Sequence, residues 1–140
     1  MSNVTPLRSL PIDRIMAIQH ELQSLPAADF PVSHFFAPGV YVRAMLIREG
    51  HCLTGAMHTT DHLSICAGDL TVLASESEEA LRYTGFHILF SRKGVKRAGF
   101  AHSDTFFATI HPTEETDIAK LEAMLTEPDP VPAIEQEDAP

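Results

Sequence analysis

The chain of 140 residues has only two cysteines, Cys52 and Cys66, and no Cys-x-x-Cys. That excludes a disulfide framework or a cysteine-rich zinc knot as the source of its stability. Basic residues are also scarce: ten Lys and Arg stand against nineteen Asp and Glu, for a formal net charge of −9. This balance argues against a surface built for nucleic acid or for an anionic membrane. No apolar run reaches membrane-spanning length, and the opening "MSNVTPLRSLP" has no signal-peptide core. The expected compartment is therefore the cytoplasm, where both thiols are expected to be reduced. Gly-x-Ser-x-Gly, a Gly-rich phosphate loop and internal repeats are missing as well, so the motif-borne nucleophiles and phosphate cradles have no support.

What is present suits one globular domain. Apolar residues make up 44% of the chain and charged ones 21%, and this length can bury a core unaided. After a flexible segment 1–9, residues 10–25 put Ile15, Ile18, Leu22 and Leu25 on one helical stripe. Ser9 is expected to cap that helix, with Pro11 in its first turn and Pro26 at its end. "PAADFPVSHFFAPG" (26–39) reads as a connector whose Phe residues pack onto the core.

From about residue 40 to residue 111 the apolar period is two. "VYVRAMLI" and "TFFATIH" alternate, and turn signals recur at Glu49-Gly50, Gly68-Asp69, Glu76–Glu79, Gly85, Lys93-Gly94 and Ser103-Asp104. Seven or eight short strands at this spacing predict an antiparallel sandwich or barrel. A second helix is expected over 113–126, capped by Thr113, with Ile118, Leu121 and Leu125 as its stripe. The domain thus spans 10–127. The acidic, Pro-rich 128–140 cannot form a packed element and is expected to be disordered.

The candidate chemistry begins with "GAMHTTDHLSICAGD". On a straight strand His58 and His62 would lie about 13 Å apart, too far to share an ion whose bonds to nitrogen are near 2.0–2.1 Å. A shared ion therefore requires a sharp bend across Thr59–Asp61, where Thr and Asp side chains can bond to turn amides. Asp61 is a further candidate ligand, although in regular β geometry only one of Asp61 and His62 can face inward. The alternative is a pair of surface histidines in a hairpin.

In "FSRKGVKRAGFAH" four basic residues crowd one turn. Beyond it Val95, Arg97 and Gly99 share a face, so Arg97 can point inward and offer its fork to a carboxylate or phosphate, with Lys96 beside it. His111 ends the last strand on the face of Thr105, Phe107 and Thr109, just before a helix start whose amides favour anions.

These stretches resemble the cupins, small jelly-roll β-barrels. The family's first motif, Gly-x5-His-x-His-x3,4-Glu-x6-Gly, is approximated from Gly50 to Gly68, with Asp61 where the glutamate falls and His58 offset. In the second motif, opened by Gly85, Arg92 takes the place of a proline and Arg97 that of a metal histidine. The usual metal set is thus broken at two positions. Over about residues 28–125, "HFFAPGVYVRAMLIREG", "HTTDHLSI", "KGVKRAGFAHSDT" and "TIHPTEETDIAKLE" resemble small uncharacterised cupin-like proteins of tailed phages and prophages.

The resemblance implies a cupin-type barrel with an outer helix at each end, and a pocket formed by His58, His62, Arg97 and His111. It implies no activity. The function expected first is binding of a small anionic molecule by Arg97, Lys96, His111 and Thr109. The second is a metal-dependent enzyme using Zn, Fe or Mn on His58, His62, His111 and Asp61. The third is a structural or interaction role in a phage particle. If the chain is phage-encoded, the expected compartment is the host cytoplasm. A homodimer is expected on the strength of exposed sheet edges.

Overall fold

The computed structural model describes residues 10–129; the segment 1–9 and the tail from residue 130 onward, read above as flexible and disordered, lie outside the described residues. The chain forms α1 (Pro11–Gln23), β1 (Val32–Ala37), β2 (Val40–Ile47), β3 (Cys52–Thr54), β4 (Met57–His58), β5 (His62–Ala74), β6 (Leu81–Ser91), β7 (Arg97–Ala101), β8 (Thr105–Pro112), α2 (Ile118–Leu125) and β9 (Thr126–Glu127). The fold is mainly β, with one antiparallel seven-stranded sheet and a helix near each end.

The order β1-β2-β8-β5-β7-β3, with β6 on the other side of β5, curls the sheet into a half-barrel. The long strand β5 is shared by both halves. Its residues 63–67 pair with β8 and its residues 70–74 with β7, along the same edge. The corner between them is Gly68, at φ +148°, where an added Cβ would sit 2.4 Å from Thr105 Oγ1 and 2.8 Å from Thr105 Cα. Only glycine allows that approach and that φ, and the strand passes there from its pairing with β8 to its pairing with β7. Gly68-Asp69 is therefore a corner inside a strand and not a turn between strands. Gly85, also read as a turn, is the residue paired with Gly68 across the β5–β6 ladder.

Two further expectations are corrected by the backbone. Residues 32–37, read as connector, are a strand paired with β2 through a tight turn at Gly39 (φ +79°). Phe30 packs on the core, but Phe35 and Phe36 stay exposed. Helix α1 starts after Leu10 with no side-chain cap, and Ser9 lies outside the described residues. Helix α2 begins at Ile118 instead of after Thr113. Its cap is Asp117, whose carboxylate accepts from the Lys120 amide, while Thr113 Oγ1 accepts from the Glu115 amide in a separate turn.

Strict alternation sorts β2 and β8 into two faces. Tyr41, Ile47, Thr105 and His111 are buried, while Phe106 on the opposite parity is exposed. The core holds Ile47, Cys66, Leu70, Val72 and Ala101. A second cluster of Tyr41, Leu121 and Leu125 seats α2 over one end of the half-barrel. Both cysteines are free thiols, Cys66 buried and Cys52 half-buried. Among the described residues no helix is long and apolar enough to cross a membrane.

Candidate metal centre

The segment between β4 and β5 bends sharply, and bonds on several sides hold the bend. Thr59 donates its amide to Leu125 O at 2.9 Å and its hydroxyl to Met124 O at 2.7 Å. These are carbonyls of the last turn of α2, which otherwise lack a helical partner. Asp61 Oδ1 accepts from the Lys93 amide at 2.9 Å, and His58 O accepts from the Gly94 amide at 2.8 Å. The turn thus leans on a helix end and on the β6–β7 turn, and only secondarily on its own amides.

The bend carries His58 back over His62, and β8 brings His111 alongside. Their ring centroids are 4.4 Å (58–62), 4.6 Å (62–111) and 5.1 Å (58–111) apart. Each ring offers a nitrogen such that all three lie within 4.8 Å of one another. That is close to the limit of about 4.2 Å which two 2.1 Å bonds to one ion allow. His62 and His111 are buried and His58 is half-buried.

The hydrogen bonds define what these nitrogens can do. His62 Nδ1 lies 3.0 Å from Thr60 O. A carbonyl only accepts, so Nδ1 carries the proton and Nε2 bears a bare lone pair. Among the described residues His62 Nε2 is buried with no partner, and so is His111 Nδ1. Burial pushes the His58 pKa down to about 3, with His62, His111, Arg97 and Arg43 adding in the same direction. Burial, then His62, lowers His111 to about 4. His62 is lowered mainly by burial, against the opposing pull of its bond to Thr60 O. At neutral pH the cluster is three uncharged imidazoles, the protonation state a metal requires. The three histidines can form a metal site.

The surroundings are positive and partly apolar. A cavity of about 360 Å³ is lined by Tyr41, Arg43, His58, Thr109, His111 and Glu122, among others. An adjoining space of about 90 Å³ includes His62 and Arg97 and shares His58 and Thr109 as walls. Burial lowers the Arg97 pKa, against the opposing pull of Glu76 and Tyr83. Tyr41 stacks on His111 at 6.0 Å, and its hydroxyl shares a 2.7 Å hydrogen bond with His34 Nδ1.

The structure therefore brings together His58, His62, His111, Arg97 and Thr109. It does not bring Asp61 or Lys96 to them. Asp61, next to His62 in the chain, faces the opposite way and fastens the turn. Lys96 lies on the other face of β7 from Arg97, almost wholly buried, with Nζ 2.6 Å from Asp129 Oδ1. It lines a wider groove of about 670 Å³ against α1, which contains no histidine. Arg43 and Tyr41 were missed from sequence. The available signal was parity: both stand on the inward face of "VYVRAMLI", where Tyr41 pairs with His111 and Arg43 with Thr109.

No family profile matches the chain. No curated protein matches it. Solved structures do resemble it. Protein NMB1881 from Neisseria meningitidis is 10% identical, covering 66% of this chain and 93% of that one at a TM-score of 0.51. The plu4264 protein from Photorhabdus luminescens is 10% identical, covering 81% and 91% at 0.51. A cupin-2 domain containing protein from Shewanella frigidimarina is 14% identical, covering 67% and 91% at 0.48. At these identities the likeness is one of fold.

Proposed function

We propose that the protein binds one divalent transition metal on His58, His62 and His111, and that the metal, Arg97 and Arg43 together hold a small anionic molecule in the adjoining cavity. The observation that carries this reading is the pair of partnerless buried nitrogens, His62 Nε2 and His111 Nδ1, in one cluster. A buried polar atom left unpaired costs stability, on the order of 1–3 kcal/mol, so two of them side by side call for a common partner. A cation is such a partner: it takes the bare lone pair of His62 Nε2 and, in the matching tautomer, that of His111 Nδ1. Imidazole sets of this kind suit Zn, Fe or Mn.

The anionic ligand follows from charge. Three neutral imidazoles leave the full charge of an ion uncompensated, and among the described residues no carboxylate belongs to the cluster. Arg43 and Arg97 add two positive charges and make no hydrogen bond or ion pair with another side chain among the described residues. Arg97 offers a planar fork suited to carboxylate or phosphate. Thr109 places a hydroxyl between the two arginines' sides of the cavity, while Leu53 and Phe107 give it dry walls.

Three protein ligands leave coordination positions open, and a bound metal would supply Lewis acidity there. On this reading the protein is a metal-dependent enzyme acting on a small organic anion. The second reading is an anion-binding module without metal, favoured by the two arginines alone. A phage or prophage kinship and a cytoplasmic setting rest on the sequence and remain part of the proposal.

Thermal denaturation separates the readings. Metal-free protein is expected to gain stability from Zn, Mn or Fe, and to gain further from carboxylate or phosphate metabolites only once metal is present. The His62→Ala variant should lose the first gain, and Arg97→Gln the second alone. Stabilisation by anions but by no metal would favour the binding module. No response to either would overturn both.

A further inference from the structure

We propose that the outer face of the sheet is the interface of a homodimer, in which two copies of this chain stack face to face. The face is the side of β1, β2, β8, β5 and β6 that points away from the histidines. The register lines up Phe35, Val42, Ile110, Leu63 and Phe90 in one row across all five strands. A second row runs Leu46, Phe106, Ala67, Phe86. No Asp, Glu, Lys, Arg or His falls at the outward positions of β1, β2 and β8, or of β5 and β6 as far as the Gly68–Gly85 pair; beyond that corner Asp69 and Arg82 face outward and pair with each other.

The area is too large for an ordinary solvent-facing surface. Phe35, Phe86, Ile88, Phe90 and Phe106 are each 57–66% exposed. At about 200 Å² per large side chain that is roughly 600 Å² from five residues, at the upper limit for the largest patch on a monomer. Leu63 and the half-buried Val42, Ile65 and Ile110 bring the face toward the about 800 Å² per partner of a specific complex. A sheet face this size buries itself by stacking on a second sheet, with about −30° between strands.

Nothing else among the described residues covers it. Helix α1 packs against β3, β5 and β7, and α2 packs on Tyr41 at the inner side. Outside the described residues the large apolar side chains number only Met1, Val4 and Leu7 at one end and Val131 and Ile134 at the other. Charge selects the occupant. The chain carries −9, so two copies repel on average. A two-fold interface sets like against like, and an apolar face without net charge tolerates that. The one arginine at its margin, Arg82, is paired with Asp69, so the face has no free cation to attract an anionic bilayer.

The test is the solution mass of the full chain by light scattering, with Tm followed over protein concentration. We expect twice the 15.4 kDa chain mass at micromolar concentration, and a Tm that rises with concentration. Phe86→Glu and Phe106→Glu should each halve the mass and make Tm independent of concentration. Leu25→Glu, an exposed apolar residue off the face, should change neither. A wild-type chain at the monomer mass with a concentration-independent Tm would overturn the proposal. So would Glu variants that keep the dimer mass, or a monomeric chain that binds neutral phosphatidylcholine vesicles.

Discussion

His62 is held by one nitrogen and left open by the other. Its Nδ1 is fixed on Thr60 O, so its Nε2 can only accept, in a place where no donor among the described residues reaches it. Replacing His62 by Ala should therefore abolish stoichiometric metal binding. Metal analysis after dialysis is expected to find below about a tenth of an equivalent. The same burial makes a pH prediction for the metal-free chain. The unfolded protein takes up histidine protons near pH 6.5, whereas the folded protein does so only near pH 4 at His111 and near pH 3 at His58. The unfolded state thus binds more protons throughout that window, so stability falls as pH drops below 6.5 and stops falling near pH 3. Urea midpoints in the presence of a chelator measure it. A midpoint that stays level from pH 6.5 to pH 4 would contradict the buried neutral cluster.

At the scale of elements, the site is the product of two departures from regular β geometry. One is the bend after β4, whose amide and hydroxyl at Thr59 terminate α2. Leu121, which seats that helix against Tyr41, is accordingly coupled to the site. Leu121→Ala should cost about 2–5 kcal/mol as a core truncation and also weaken metal binding. Denaturation and metal titration of the one variant check both. The other departure is the Gly68 corner. Gly68→Ala would drive a Cβ into Thr105 backbone and side chain, a loss of about 3 kcal/mol that a denaturation curve reads directly. The alternating runs of β2 and β8 were legible because each has one wet or uncovered face and one buried face. The corner was not, because Gly-Asp marks a turn in local chemistry and only the tertiary approach of Thr105 makes it a strand interior. β1 was hidden in the same way: Pro31 and Pro38 punctuate it, and its pairing with β2 is what makes it a strand.

At the scale of the molecule, the parity of side chains made most of the pocket readable. His111, Thr109 and Arg97 fall on inward positions of their strands, and a bend between His58 and His62 was the single unknown. The placement of Lys96 was not readable, since adjacency to Arg97 says nothing of what lies behind the strand. It lies behind, and its 2.6 Å pair with Asp129 ties the end of the described chain to β7. Lys96 is the buried member of the pair and Asp129 the exposed one, and removing a partner is costly where it leaves a buried charge unpaired. Lys96→Met, which leaves Asp129 to the solvent, should therefore leave the unfolding midpoint nearly unchanged, and Asp129→Ala, which strands the buried ammonium, should lower it.

The account turns on one claim, that three imidazoles from two separate parts of the chain converge on a single ion. X-ray absorption of the zinc-loaded protein, prepared without a histidine tag, tests it most directly. The prediction is one zinc per chain with about three nitrogen neighbours at 2.0–2.1 Å, reduced by His111→Ala. A zinc bound only through oxygen, or no zinc retained at all, would contradict it.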